Sequence, residues 1–200
     1  MLSPSSLINR WTTPAGAAIR IGVIEALEAN QDLRVVLRRL PGADEVFDWL
    51  DLRGIDLSGL TIRTYEFVAA SLDFACFDRC HFKGAILDNA SLLYTAFNHA
   101  TFSRTQMQSV KALHASFDGA NFNGVLAMNA DLSYGSFHGA VIVNSDFGKC
   151  RCACTTFSNS ALHEAKFDEA TLGHVNFSGA RATNCSFKDT TVFKTVLPSR

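Results

Sequence analysis

Residues 115–139 read ASFDG-ANFNG-VLAMN-ADLSY-GSFHG, a run of five-residue units. The third position of each unit is Phe117, Phe122, Ala127, Leu132 and Phe137, and the first is Ala115, Ala120, Val125, Ala130 and Gly135. A helix repeats its apolar face about every 3.6 residues, and a long strand repeats every second residue. A period of five satisfies neither. It fits a short extended piece that sends one large and one small side chain, two residues apart, into a narrow core and then turns.

The register extends both ways from that stretch. Steps of five from Leu52 through Leu57, Ile62, Phe67, Leu72 and Phe77 reach Val192 and Leu197, thirty positions without an insertion. Thirteen of the 16 Phe fall on this series, which accounts for so many Phe beside 2 Trp and 3 Tyr. Two residues earlier the series is small from Ala70 onward: Ala75, Cys80, Ala85, Ala90, Thr95 and so to Cys185. Every fourth unit brings like onto like. One column is Leu57, Phe77, Phe97, Phe117, Phe137, Phe157, Phe177 and Leu197; another is Leu52, Leu72, Leu92, Ala112, Leu132, Cys152, Leu172 and Val192. Stacking at a spacing of twenty is what in-register parallel coils require.

Units such as Ala120-Asn121-Phe122-Asn123-Gly124 and Ala130-Asp131-Leu132-Ser133-Tyr134 resemble the pentapeptide-repeat family, whose unit is Ala-Asp/Asn-Leu/Phe-x-x; the resemblance covers about residues 50–197. It implies an all-β solenoid, a right-handed quadrilateral parallel β-helix with four units per coil. About seven and a half coils at ~4.8 Å each predict a rod of roughly 36 Å.

Residues 1–50 read as an N-terminal α-helical cap, and residues 51–197 as the β-helix. A solenoid end exposes its core and a raw hydrogen-bonding edge, which a cap covers. Ser3-Pro4 and Thr13-Pro14 each pair an N-cap with Pro at the first helical position. Ala17, Ile21, Ile24 and Leu27 form the expected buried stripe of the second helix. Asp32 caps a third helix with Leu33, Val36, Leu37 and Leu40 at helical spacing, stopped by Pro41-Gly42. At the other end only Pro198 discourages further pairing after Leu197.

The 18 basic and 19 acidic residues nearly balance, which argues against direct nucleic-acid binding. Neither a secretion signal nor an apolar run of membrane-spanning length is evident, so a cytoplasmic protein with free thiols is expected. No phosphate-binding loop, dinucleotide fingerprint or nucleophile elbow occurs. The sequence therefore predicts no enzyme, no cofactor and no metal. All six His take outward phases, and His163 and Glu164, as chain neighbours, are expected to point apart. Cys150 and Cys152 fall inside and Cys154 outside, too divergent for a tetrahedral metal site. The Ile62 face carries Arg63, Lys83, Arg104 and Arg181 against Glu164, whereas the Phe67 face is acidic around Asp88, Asp168 and Asp189. An ordinary solvated surface is the plainer reading of that polarity.

The most informative outward column lies on the Leu52 face. Two residues after each inward position come Phe74, Tyr94, His114, Tyr134, Cys154 and His174, with Leu93 and Leu113 alongside. These rings and leucines form a candidate partner-binding stripe, large enough to engage a protein partner. A ladder that only stiffens its own sheet is the competing reading. The leading function is thus a non-enzymatic protein–protein interaction scaffold, with homodimerisation through the aromatic face or the C-terminal coil also open. The family resemblance implies an alternative: a DNA-mimic binder of a type II topoisomerase, gyrase, that protects it from a poison. That role calls for a negative face, yet from residue 51 onward acidic and basic residues number 13 each.

Overall fold

The structure, a computed structural model, describes residues 3–37 and 50–198. Three helices come first: α1 (Pro4–Asn9), α2 (Pro14–Glu28) and α3 (Leu33–Leu37). The caps are those expected. Ser3 Oγ accepts from the Ser6 N–H, Thr13 Oγ1 from the Gly16 N–H, and Asp32 Oδ1 from the Arg34 N–H. The buried face of α2 is not the expected one. It comprises Gly16, Ile19, Val23, Ala26 and Leu27, while Ile21 is 55% exposed and Ala17 and Ile24 are only half-buried. Apolar residues surround most of α2, so spacing alone does not choose a face. Packing does: Gly22 lies so near Val36 of α3 that an added Cβ would come within 2.9 Å. Leu40 and the Pro41-Gly42 stop lie outside the described residues.

The helices sit on the first coil and share one core with it. Trp11, Val23, Leu27 and Leu33 run continuously into Leu52, Leu57, Ile62 and Phe67. Polar contacts fix the junction. Trp11 Nε1–H donates to the Arg53 carbonyl at 2.8 Å, and the Tyr65 hydroxyl accepts from the Leu33 N–H at 3.1 Å. The Arg10 guanidinium donates to the Asp51 carboxylate at 3.0 Å and to the Arg53 carbonyl. Gly54 passes so close to the Leu7 backbone that a Cβ there would lie 2.7 Å from the Leu7 carbonyl.

From residue 50 the chain is a parallel β-solenoid. Strands β1 (Thr61–Arg63), β2 (His81–Lys83), β3 (Thr101–Ser103), β4 (Asn121–Asn123), β5 (Val141–Val143), β6 (Ala161–His163) and β8 (Arg181–Thr183) form one seven-stranded sheet on the Ile62 face. β7 (Thr171–Gly173) pairs with β9 (Thr191–Phe193) on the Leu52 face. Parallel bridges such as Asp56↔Cys76, Glu66↔Ile86 and Ser71↔Ser91 complete the other faces, each partner twenty residues on. The inward series is buried as the spacing requires: Phe77, Phe97, Phe117, Phe137 and Phe157 stack with centroids 4.7–5.2 Å apart. Val192 and Leu197, also on that series, are 42% and 38% exposed because no described coil stacks on them.

Backbone hydrogen bonding explains the consensus. In the unit around Leu92, the N–H groups of Ser91, Leu92, Tyr94 and Thr95 bond to carbonyls of neighbouring coils or of the turn itself. The remaining N–H, on Leu93, donates to the Asp73 carboxylate of the preceding coil at 3.0 Å. Asp78, Asp88, Asp118 and Asp168 serve the next coil in the same way. Elsewhere the residue before the inward one does the capping, as Asp131 does for Ser133 and Asn176 for Ser178. Unpaired N–H groups are costly, so a short acceptor side chain recurs at these positions.

The last residue of every unit from Gly54 to Lys194 has a positive φ, between 44° and 78°. This left-handed corner turns the chain onto the next face. It suits Gly and Asn, and it strains bulky residues.

Candidate functional site

The ring column of the outward stripe on the Leu52 face is built on such corners. Phe74, Tyr94, His114 and Tyr134 have φ of 61°, 55°, 57° and 61°. Holding a bulky side chain there costs about 1–2 kcal/mol per residue relative to an unstrained backbone. The rings recover part of that by stacking. Phe74 and Tyr94 lie 5.3 Å apart at 4°, Tyr94 and His114 4.6 Å at 2°, and His114 and Tyr134 4.9 Å at 17°. Such a pair contributes about 0.5–1.5 kcal/mol. Since the rings face one another along the rod, it is their edges and the Tyr hydroxyls that meet solvent. Tyr94 and Tyr134 are 52% and 54% exposed, His114 is exposed, and Phe74, Leu93 and Leu113 are half-buried beside them.

Of the residues assigned to this stripe, six form one contiguous patch: Phe74, Leu93, Tyr94, Leu113, His114 and Tyr134. His174 does not continue the stack. The intervening rung is Cys154, exposed and ringless, and His174 instead meets Phe193 edge-on at 5.2 Å and 78°. Phe193, 57% exposed, was not among the residues assigned from the sequence. It lies in the column of Leu93 and Leu113, and reading that column to its end would have found it.

The other candidates resolve into structural roles. All six His are exposed. His163 and Glu164 do not point apart as expected: Nε2 and Oε1 are 3.5 Å apart. Glu164 occupies a left-handed corner, φ 53°, where strand alternation no longer holds. Both side chains are about half exposed, so this is a solvated pair. Cys150 and Cys152 are buried with sulfurs 3.2 Å apart, and Cys154 is exposed. The hydrogen bond shared with Cys150, together with burial, pushes the Cys152 thiol well up, which leaves it inert. Among the described residues no group of three or more His, Cys, Asp or Glu could hold a metal ion, and no helix is long and apolar enough to cross a membrane.

A family model for pentapeptide repeats matches eight copies, over residues 66–104, 114–148 and 150–189. The chain belongs to the pentapeptide-repeat family. Solved pentapeptide-repeat structures are similar at low identity. HetL of the cyanobacterium Nostoc sp. strain PCC 7120, involved in heterocyst differentiation regulation, is 17% identical over 78% of this chain and 92% of its own, with a TM-score of 0.24. QnrB1, a plasmid-mediated fluoroquinolone resistance protein, is 22% identical over 72% and 89%, with a TM-score of 0.28. Rfr23 of the cyanobacterium Cyanothece 51142 is 14% identical over 70% and 90%, with a TM-score of 0.29. Likenesses this distant carry no argument about role. No curated protein matches the sequence.

Proposed function

We propose that this pentapeptide-repeat protein is a non-enzymatic interaction scaffold, a stiff rod that binds a protein partner along the Leu52 face. The supporting observation is the run of four stacked rings, each on a left-handed corner where Gly or Asn would be unstrained. Positive φ recurs at every corner of the rod; what sets this column apart is that its corner residues are aromatic and stacked, which a binding role explains. Rings already ordered by stacking lose little freedom on contact, and aromatic side chains are favoured interface anchors. His174, with Phe193, extends the surface beyond Cys154. A cytoplasmic setting suits this reading, since the six Cys stand as free thiols.

The test is the double substitution Tyr94→Ser and Tyr134→Ser, read by co-purification from the native cell and by sedimentation. Loss of a co-purifying protein, with an unchanged melting curve, supports the scaffold reading. A dimer-to-monomer shift without loss of any partner would assign the stripe to self-association. Association that survives the double change would reduce the stripe to a stiffening ladder.

The topoisomerase alternative rests on acidic surface. From residue 51 onward, however, 13 acidic residues are balanced by 13 basic ones. That arrangement favours the scaffold.

A further inference from the structure

The opposite face of the rod, the one formed by the seven-stranded sheet, has an unusual charge pattern. Arg63 of β1 and Lys83 of β2 are direct register partners on adjacent coils. Arg104 follows Ser103, the register partner of Lys83, so three cations occupy three consecutive rungs. Like charges directly opposite one another destabilise a sheet. Some other cations of the coils are paired, as in Arg53–Asp51, Lys149–Glu169 and Arg151–Asp131. Arg63, Lys83 and Arg104 are all exposed and make no ion pair among the described residues. No carboxylate stands on this face from Leu60 to Asn144, five successive rungs, before Glu164. In the corner column Gly84 and Gly124 flank Arg104, leaving its guanidinium without bulky neighbours along the rod.

We infer that the Arg63–Lys83–Arg104 strip is a second docking surface, and that its occupant is a short acidic segment of a protein, lying extended along the rod. Charge complementarity sets the sign of the occupant. The flanks set its width. Asp56 and Asp78 lie on the preceding face, where Arg79 widens the strip at one corner, and Glu66 and Asp88 lie on the following one, so carboxylates border the basic strip on both sides. A broad polyanion such as duplex DNA or an anionic membrane would overlap those carboxylates. Base stacking, which single-stranded nucleic acid uses, requires exposed aromatic rings, and among the described residues the only exposed ring on these rungs is His81, bonded to Thr101. An extended peptide places alternate side chains every ~6.6 Å on one side, within reach of long flexible cations stacked at coil spacing. Thr61, Asn121 and Asn123 beside them supply further hydrogen-bonding groups.

The probes are a fluorescent peptide of about eight residues alternating Glu and Ser, its Gln-for-Glu counterpart, and an oligothymidylate of similar length. Anisotropy titrations of the intact protein should show that the Glu peptide binds, the Gln peptide does not, and affinity falls between about 0.05 M and 0.3 M salt. The triple variant Arg63→Gln, Lys83→Gln, Arg104→Gln should weaken Glu-peptide binding by about tenfold or more, as three exposed ion pairs allow. The matched variant Lys166→Gln, Arg181→Gln, Lys188→Gln should bind as the wild type does. The strip variant should also melt no lower than wild type, since it removes like-charge contacts. Equal loss in both variants, or no binding of the Glu peptide at millimolar concentration, overturns the inference. Tighter binding of oligothymidylate than of the Glu peptide overturns it in favour of a nucleic-acid strand.

Discussion

Truncation of one ring tests the stacked core most directly. Phe117 is 1% exposed and lies mid-column, 5.1 Å from Phe97 at 1° and 4.7 Å from Phe137 at 19°. Phe122 and Phe102 close the sides at 5.6 and 6.2 Å. Phe117→Ala therefore removes a ring with neighbours above, below and to the side. Its surroundings cannot collapse into the space, because the coil spacing is held by backbone bonds such as Phe117 N–H to the Ser136 carbonyl at 2.7 Å. A persistent cavity adds to the lost transfer energy, so the expected cost is about 3–5 kcal/mol. Urea melts should be followed by far-UV circular dichroism, which reports the coils, and by Trp fluorescence, to which Trp11 at the cap junction contributes. The midpoint should fall with little change in slope. Divergence of the two probes would mean that the coil and cap unfold separately, as repeat arrays sometimes do. A loss below about 1 kcal/mol, typical of surface change, would refute the reasoning that the column is a rigid close-packed core.

Other perturbations address the ends, the polar groups and the alternative function. Deleting residues 1–48 should uncover Leu52 and Leu57 and cause aggregation or oligomerisation in light scattering; a monomer of unchanged stability would count against residues 1–50 being a cap. Burial alone would raise the Asp51 carboxyl, but hydrogen bonds from Arg53 and Arg10 outweigh it and hold the group well below the usual carboxylate range. Its contribution is therefore present above the unfolded carboxylate pKa, about 4, and is lost as pH falls below it, so Trp fluorescence should report cap loosening in acid that Asp51→Asn lacks. Thr105 Oγ1 is buried without a partner, whereas Thr95 Oγ1 donates to the Leu72 carbonyl at 2.9 Å. Thr105→Val should accordingly be neutral or stabilising and Thr95→Val destabilising by about 1 kcal/mol in parallel melts. Purified protein at micromolar concentration should leave gyrase supercoiling unchanged; a salt-sensitive effect would revive the topoisomerase alternative.

The coil architecture was legible because its constraints repeat: every inward position meets the same core, so Phe77 to Phe177 and Ala70 to Ala180 carry one message many times. The ring stripe was legible for the same reason, as an outward column at a spacing of twenty. What escaped depends on contacts made only once. The buried face of α2 is set by α3 and the first coil, which periodicity within an apolar helix cannot encode. His163 meets Glu164, and His174 turns toward Phe193, because left-handed corners redirect side chains that simple alternation would separate. The capping duty of Asp73, Asp78 and Asp88 also escaped, since it links positions twenty residues apart through backbone N–H groups that sequence does not display.

Hydrogen-bond accounting also indicates where a role can be written on this rod. Within each unit two side chains fill the core, the corner residue must accept a positive φ, and an acceptor caps the one spare N–H. Deviations from these demands need a cause other than folding. The ring stripe deviates by stacking rings on four successive corners, and the basic strip deviates by stacking Arg63 on Lys83 without an acid. In chain order the faces run Leu52, Leu57, Ile62, Phe67, which sets these two features two corners apart, on opposite sides of the rod. A partner on one side leaves the other open, and the stiff coil between them gives no obvious two-state element to couple them. Binding of the Glu peptide should therefore be the same in the Tyr94→Ser, Tyr134→Ser variant as in wild type. A change in affinity of more than a few-fold would mean that the two faces communicate through the stacked Phe core.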